Sequence, residues 1–434
     1  MNTVATNKSP TWTNEGLYRH YVLLLLLLVG VCSWSDRQVF SIVLEAIRRD
    51  LNLSDTQLGL LGGTAFALFY AVVGIPIARI ADRSSRRNII SAAVLLWSAM
   101  TALTATAKGY GAIFAYRVGL GVGEAGGSAP AQSMVADLYP PHQRALAMGV
   151  LFSNLPIGYL LSYALGGWLN DAVGWRTAFW IFGIPGVALA ILLRFTAREP
   201  ERTGVAFALP VSGASEASLA RTIGSLLRLN AMPHICFAGA AHGLGMYAVA
   251  VWLPAFFIRV HSLSSSYVGV RLALIMGVGG IIGTLSGGRI ADFLVAKTAN
   301  PGWYSWMCAI GLILSLPLSI TVFATHHANI ALTLLCVPMA LNNMIVGPTT
   351  ASIQSIAGPK QRAVAAALYL VLSNLIAAGL GPLIIGAVSD ALHAHYSTNS
   401  LRYALLLVVP VTAAWAAVHF FLAGRALRRS SYAE

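Results

Sequence analysis

Charged side chains lie within long apolar stretches of this chain, at spacings that would let them act together. In AYRVGLGVGEAG (residues 115–126), Arg117 and Glu124 are seven residues apart. Seven residues make about two turns of an α-helix, so both side chains would face one side, about 10 Å apart along the axis. Asp36 and Arg37 lie within an earlier apolar stretch. A carboxyl group buried beside guanidinium groups can change its ion-pair partner and take up or release a proton, which is the chemistry of proton coupling.

Each of the four residues has a predicted role and an alternative. Asp36 and Glu124 can be neutral or charged, as proton coupling requires. Arg117 stays cationic, and it would clamp a substrate carboxylate or phosphate in competition with Glu124 or Asp36. The alternative is that the four side chains form fixed ion pairs that only hold the helices together, and this applies most to Arg37. Adjacent residues face about 100° apart on a helix, so Asp36 and Arg37 cannot both face one cavity squarely.

The composition places these residues in a membrane protein. The 434-residue chain is 57% hydrophobic and only 10% charged, which is too little polar surface for a soluble globule of this size. Apolar runs of about 20 residues, the length that spans a bilayer, recur along the chain. The net charge of +13 gathers in short loops between these runs, as in cytoplasmic loops, and this argues against nucleic-acid binding. The four cysteines form no CxxC pair, so no disulfide framework or metal site is expected.

The apolar runs predict an all-α integral membrane fold with twelve transmembrane helices in two pseudo-symmetric six-helix bundles. The predicted spans are residues 18–45, 55–79, 87–106, 109–137, 143–170, 174–195, 231–259, 265–289, 303–325, 328–357, 361–391 and 400–424. The distribution of Lys and Arg favours an inner-membrane protein with both termini in the cytoplasm. Glu45 lies near the outer end of its span and is expected to be solvated.

Residues 196–230 are the longest polar stretch, and they divide the chain into an N-terminal bundle (1–195) and a C-terminal bundle (231–434). Within this cytoplasmic linker, residues 218–229 place Leu and Ile on one helical side, which predicts an amphipathic helix at the membrane surface. A plain linker is the alternative.

Short motifs recur in the two bundles. ARIAD (78–82) ends the second span and GRIAD (288–292) the eighth, while PHQR (141–144) opens the fifth and PKQR (359–362) the eleventh. The matches fall in register at offsets of 210–220 residues, so the chain is an internal duplication. Two duplicated halves around a central loop describe a secondary transporter whose site lies between the halves. An enzyme is not expected, because we find neither a nucleophile with its base nor an HExxH metal motif.

The sequence resembles a known family at several motifs. GIPIARIADRSSRR (74–87) resembles the loop signature of the major facilitator superfamily, although Ala78 and Ser85 replace common glycines. SWSDRQV (33–39), RVGLGVGEAGGSAPAQSMVADLYPPHQRA (117–145) and GWRTAFWIFGIPG (174–186) resemble the Spinster branch. That branch includes exporters of lysolipids and sphingolipid phosphates, and the short loops suggest a bacterial member.

The resemblance implies a proton-coupled carrier of an amphipathic or lipid-like substrate, driven by the proton gradient without a cofactor. An Asp-Arg pair in the first span and GEA in the fourth also occur in symporters of sugar acids and other organic anions, so a hydrophilic organic anion is the alternative substrate. The second half has little charge at membrane depth, which favours the amphipathic substrate. We expect a monomer whose partners are this substrate, protons and membrane lipids. Arg117, Glu124 and four polar residues of the second half are candidate substrate contacts: Tyr247, Asn342, Asn343 and Gln354.

The loop signatures predict a latch at the inner face. Asp82 would meet the N-terminus of another helix or an arginine such as Arg144, and Asp292 is its counterpart in the second copy. The basic residues of the loop would then contact the partner half or anionic lipid: Arg83, Arg86 and Arg87. The alternative is that they are ordinary positive-inside residues without a gating role.

Two groups of glycines, one beside the charges and one along a later span, are predicted to let helices pack closely, and those beside the charges could also let the helix bend. They are Gly119, Gly121 and Gly123 in the fourth span, and Gly279, Gly283 and Gly287 in the eighth.

Overall fold

A computed structural model describes the backbone of residues 12–201, 216–358 and 361–430, and the side chain of Asp82 lies outside what it describes. Within these ranges every regular element is a helix. A helix satisfies its own backbone N–H and C=O groups, which is what an apolar chain needs inside hydrocarbon. The predicted all-α membrane fold is therefore confirmed.

The first part of the chain, which we call the N half, contains eight helices. They are α1 (Trp12–Leu51), α2 (Asp55–Gly59), α3 (Ala65–Arg83), α4 (Arg86–Thr104), α5 (Tyr110–Glu124), α6 (Ser128–Leu138), α7 (Pro141–Phe152) and α8 (Asn154–Thr196). One π-helical turn, Leu60–Thr64, joins α2 to α3. Gly174 has φ +82°, a left-handed conformation that glycine adopts without steric cost, and it divides α8 into two helical parts.

The second part begins with α9 (Glu216–Leu227), the helix predicted within the linker, and Leu226 on this helix is buried with Ala231 and Met232. The helices that follow form the C half: α10 (Ala231–Val260), α11 (Ser265–Thr298), α12 (Gly302–Ala324), α13 (Ala328–Asn343), α14 (Val346–Ile356), α15 (Arg362–Tyr396) and α16 (Ser400–Ser430).

Nine stretches of the described residues are long and apolar enough to cross a membrane. Two of them, Pro141–Thr196 and Val364–Arg429, hold 56 and 66 residues, far more than the roughly 20 that one crossing needs. The first contains the break at Gly174, and the second contains the junction between α15 and α16. The chain is a multi-pass membrane protein, and the count of twelve spans stays a prediction.

The two halves pack against each other at one end, which we call the closed end. It is the end where α1 stops at Leu51 and α10 stops at Val260, and one large buried apolar cluster there draws on both halves, with residues 39–61 of the N half and 248–275 of the C half among its members. The other buried apolar clusters are built almost wholly from one half each, with residues such as Leu26 in the N half and Leu312 in the C half. The cores of the halves are therefore joined at the closed end and separate towards the opposite end.

The glycines of the fourth span bring α5 against its neighbours. A Cβ on Gly121 would lie 2.7 Å from the carbonyl oxygen of Phe66, and one on Gly123 would lie 2.8 Å from the backbone nitrogen of Trp97. In the same way Gly283 lies directly against the backbone of α13. The predicted close packing is confirmed at these positions, and it fixes where α5 presents its charged side chains.

Candidate functional site

The structure brings the four charged residues of α1 and α5 together inside the N half. Glu124 interacts electrostatically with Asp36, Arg37 and Arg117. Asp36 is completely enclosed, with 0% of its surface exposed, and Arg117 and Glu124 are buried. The seven-residue spacing on α5 thus places both of its charges toward α1 instead of toward lipid.

Glu124 pairs with Arg37 and not with Arg117. Nη2 of Arg37 donates to Oε2 of Glu124, while Oε1 of Glu124 is buried without a hydrogen-bond partner. The guanidinium carbon of Arg37 also lies 4.7 Å from the ring centroid of Trp34 and 4.2 Å from that of Phe66. Arg37, to which the sequence assigned no active role, is therefore the direct partner of Glu124. The sequence feature that could have indicated this role is the position of Arg37 directly beside Asp36 in SWSDRQV (33–39).

Arg117 is held by the backbone of the π-helical turn. Its Nε donates to the carbonyl oxygen of Leu61 at 3.0 Å, and its guanidinium carbon lies 4.6 Å from the ring centroid of Phe40. Nη1 is buried without a hydrogen-bond partner. In this conformation Arg117 fastens α5 to the turn before α3, and π-helical turns of this kind are frequent at functional sites. Its predicted role as a clamp for a substrate carboxylate or phosphate stays a prediction.

Asp36 faces a different direction from Arg37, as the 100° step between neighbours requires. It lies beside Thr101 of α4, whose hydroxyl donates to the carbonyl oxygen of Trp97 at 3.1 Å. Neither carboxyl oxygen of Asp36 has a hydrogen-bond partner. Asp36 is thus an enclosed carboxyl group next to the Arg37–Glu124 pair.

A cavity of about 130 Å³ lies beside this pair, within the N half. Arg37 and Glu124 supply its charge, and its walls include the aromatic side chains of Trp34, Tyr70 and Trp97. Tyr247 of α10, in the C half, interacts electrostatically with Arg37. The cavity therefore combines one ion pair with aromatic and aliphatic walls and with the polar side chains of Ser33, Ser128, Gln132 and Asn154.

The other candidate substrate contacts lie on α13 and α14. The amide of Asn342 donates to the carbonyl of Pro338 at 2.7 Å and lies beside His242 of α10. The amide of Asn343 donates to the carbonyl of Met339 at 2.8 Å. Gln354 is exposed. Their contact with substrate stays a prediction.

The predicted gating residues lie toward the opposite end from the closed end, and the contacts described for them stay within one half. Arg144 donates to the carbonyl of Tyr139 at 2.9 Å, and the hydroxyl of Tyr304 donates to Asp292 at 3.3 Å. Arg83 is exposed. The side chain of Asp82 lies outside the described residues, so its part in a latch stays a prediction.

Arg86 is buried in an ion-pair network of the N half, and not at the partner half or in lipid as expected. It pairs with Asp137 of α6 and with Glu199, the latter at 2.8 Å. Burial raises the pKa of Glu199, but hydrogen bonds from Arg86, from the backbone N–H of Arg87 and from Ser85 outweigh it and hold the pKa below its usual range. The network ties the start of α4 to α6 and to the segment after α8.

A second network, which the sequence did not reveal, joins the halves at the closed end. Arg259, at the end of α10, donates from Nε to Glu45 of α1 at 2.9 Å. Its two terminal nitrogens donate to both oxygens of Asp55 of α2, at 2.7 and 2.8 Å. The prediction that Glu45 is solvated is wrong: the residue is 2% exposed, because Arg259 and its own neighbours on α1 cover it.

Two residues of α15 complete this closed-end network. The hydroxyl of Ser389 donates to Asp55 at 2.6 Å, and Asp390 accepts the backbone N–H groups of Asp55 at 3.0 Å and Thr56 at 2.8 Å. The carboxylate of Asp390 thus sits at the N-terminus of α2, where the helix dipole favours negative charge.

The similarity to known proteins identifies this multi-pass membrane protein as a transporter and not an enzyme. The family model for the Major Facilitator Superfamily matches residues 26–382, and the chain belongs to that family. It is 33% identical to an MFS-type efflux pump of Mycolicibacterium smegmatis over 413 residues, and this alignment covers 94% of each of the two chains.

Two more distant relatives are named as transporters of different substrates. The chain is 29% identical over 282 residues to the hexuronate transporter of Bacillus subtilis, covering 65% of this chain and 66% of the relative. It is 26% identical over 402 residues to the sphingosine-1-phosphate transporter of Danio rerio, covering 87% and 79%. Among solved structures it matches a bacterial homolog to the human lysosomal transporter Spinster, inward-facing and unoccupied, with a TM-score of 0.84, 28% identity and coverage of 95% and 98%. The predicted resemblance to the Spinster branch is confirmed.

Proposed function

We propose that this protein is a proton-coupled secondary transporter that moves an amphipathic or lipid-like substrate by alternating access. We place it in the cytoplasmic membrane with both termini inside, so that the closed end is the outer one. The observation that carries the proposal is the Arg37–Glu124 pair, which lies at the wall of a cavity and next to the enclosed Asp36.

The proton step follows from the unequal surroundings of the two carboxyl groups. An ionised carboxylate that is buried without a partner costs several kcal/mol, which supports a protonated Asp36 in this conformation. Glu124 is paired with Arg37. A carboxylate or phosphate of the substrate would compete with Glu124 for the guanidinium of Arg37. Glu124, once displaced from Arg37, would be a buried carboxylate without its cationic partner and would take up a proton.

The walls of the cavity favour an amphipathic molecule. Arg37 offers its donors to an anionic headgroup, while Trp34, Tyr70 and Trp97 offer apolar surface to the rest of the molecule. The relative named as a sphingosine-1-phosphate transporter acts on a molecule of this kind, and the relative named as an efflux pump supports export.

The second candidate function is symport of a hydrophilic organic anion such as a sugar acid. It is favoured by the relative named as a hexuronate transporter. The same guanidinium of Arg37 would bind the carboxylate of such a substrate. The two candidates differ in what the rest of the substrate offers to the aromatic walls.

Transport by the purified protein in liposomes tests both candidates. With an imposed pH gradient, we expect uptake of a lysophospholipid or sphingoid phosphate and none of a hexuronate. Glu124→Gln should abolish the acceleration by the pH gradient and leave exchange at equal pH intact. Arg37→Gln should weaken binding of anionic substrates by about 10- to 100-fold, the value of a charge-assisted hydrogen bond. Asp50→Asn, at a surface-exposed acid, is the matched control and should change neither. Unaltered acceleration in Glu124→Gln would refute the titrating role.

A further inference from the structure

A deep apolar groove lies on the outside of the C half, between α10, α15 and α16. Its volume is about 540 Å³, and its walls include Phe237, Leu244, Leu407, Val411 and Trp415. None of its wall residues lines the cavity beside Arg37 and Glu124. The groove is therefore a separate feature from the candidate transport site.

The groove has the polarity and length of one lipid acyl chain. Leu407 and Trp415 on its wall are each 58% exposed in the protein alone, within a membrane-spanning stretch where hydrocarbon covers such side chains. The one hydroxyl on its wall, of Thr412, donates to the carbonyl of Val409 at 2.9 Å. From Trp415 to Leu407 the wall runs along eight residues of α16, about 12 Å, most of one leaflet's share of a ~30 Å hydrocarbon core.

Two imidazole rings lie at one mouth of the groove. The Nδ1 atoms of His234 on α10 and His419 on α16 are 3.0 Å apart. The ring of His419 stacks on Trp415 with an interplanar angle of 17°, and its centroid lies 5.4 Å from that of Phe237. Both aromatic residues belong to the groove wall, so the imidazole pair and the groove are continuous.

The chemistry of this pair suits an anion. In an Nδ1–Nδ1 hydrogen bond one ring donates and the other accepts, and the accepting neutral ring must carry its hydrogen on Nε2. If the pair takes up one proton, both Nε2 atoms become donors. His234 is the fourth residue of α10, close to the end of the helix, which is the depth of a lipid headgroup. Arg228, exposed on the turn before α10, adds positive charge at this end.

We propose that the groove is a binding site for an anionic phospholipid of the membrane. One acyl chain lies along the groove, and the phosphate accepts hydrogen bonds from the His234–His419 pair. The lipid is a bound component of the C half and not the transported substrate.

Native mass spectrometry of the delipidated full chain tests the site. The protein is incubated with phosphatidylglycerol or with phosphatidylcholine that carries the same acyl chains. Wild type should retain one phosphatidylglycerol molecule with at least a several-fold preference. The double variant His234→Leu, His419→Leu should lose the preference. Ala241→Trp, which fills the groove at a wall position, should lose retention of both lipids. The matched control Leu314→Trp, at an exposed position of α12 and outside the groove wall, should behave like wild type.

Three results would overturn the proposal. One is equal retention of the two lipids by wild type. Another is loss of phosphatidylglycerol in Glu124→Gln, which would place the lipid in the transport cavity. The third is a dimer that disappears in Ala241→Trp, which would show that a second copy of the chain covers the groove. Thermal melting in detergent checks that each variant is folded, and if Ala241→Trp fails this check, the histidine variant decides alone.

Discussion

The two ends of this molecule bury arginine in opposite ways. At the closed end, Arg259 of the C half pairs with two acids of the N half. At the opposite end, Arg86 pairs with one acid of its own half and with Glu199 in the segment that directly follows α8. Both guanidinium groups are almost fully enclosed, so the difference lies in which bodies the pairs connect and not in how deeply they are buried.

This difference indicates what each network can do in a transporter that changes its shape. Paired charges that lie on different halves must separate when the halves move apart. The Arg259 network therefore stabilises the present conformation relative to a conformation that is open at the closed end. Charges within one body can stay paired throughout, so the Arg86 network sets the shape of the N half in both conformations. The comparison predicts that removing Arg259 shifts the conformation of the protein, whereas removing Arg86 lowers its stability without shifting the conformation.

The largest effect is expected for Arg259→Met. Removing this arginine leaves Asp55 buried without its cationic partner and leaves Glu45 with only Arg48 and Arg49 of its own helix, and breaking a buried ion pair costs about 3–5 kcal/mol. Most of this cost falls on the present conformation, so the closed end should open. A cysteine at Val251, which packs against Gly62 of the other half, should react with a maleimide at least tenfold faster in a background without the four native cysteines.

The matched control for Arg259→Met is Arg176→Met. Arg176 pairs with Asp50 at the surface and within the N half, where such pairs contribute at most about 1 kcal/mol. Labelling at Val251 should stay unchanged in this control. Equal labelling in Arg259→Met and in the control would show that the closed-end network does not hold the halves together.

Arg86→Met should have a smaller effect and a different one. It leaves Asp137 without one partner and Glu199 with a path to water, so we expect a loss of up to about 3 kcal/mol in stability, measured as a lower melting temperature in detergent. Labelling of the cysteine at Val251 should not change. Faster labelling would contradict the comparison and would return Arg86 to the gating role that the loop signature suggested.

Features that depend on one helix and its spacing could be predicted from the sequence. The seven-residue spacing of Arg117 and Glu124 correctly placed both side chains on the inward side of α5, and apolar length correctly indicated a multi-pass membrane protein. The glycines beside them correctly indicated close packing. These features follow from the helical period and from side-chain volume alone.

Features that depend on which helices meet could not be predicted in this way. Arg259 is 214 residues from Glu45, and nothing in the span lengths indicates that these two helix ends meet, so Glu45 was expected to face water. Likewise, either Arg37 or Arg117 could pair with Glu124, and the sequence does not show which of them does. The π-helical turn near Leu61 gives Arg117 another acceptor and leaves Arg37 for Glu124.

The smallest effect is expected for Glu199, at the opposite end. Its pKa lies below its usual range because hydrogen bonds, that from Arg86 foremost, outweigh the effect of burial. A carboxyl group whose pKa is lower in the folded chain contributes stability that is present at neutral pH and lost as the pH falls through the folded pKa. Since the side chain is 29% exposed, this contribution is below about 1 kcal/mol.

Glu199→Gln isolates this contribution, because glutamine keeps the size of the side chain and cannot ionise. The melting temperature of the variant should lie below that of wild type near pH 7, and the difference should narrow as the pH approaches about 4, where glutamate begins to protonate. A difference of constant size would mean that Glu199 acts through packing alone. Cysteine labelling at Val251 should stay at the wild-type rate in this variant, because the ion-pair network that contains Glu199 does not connect the two halves.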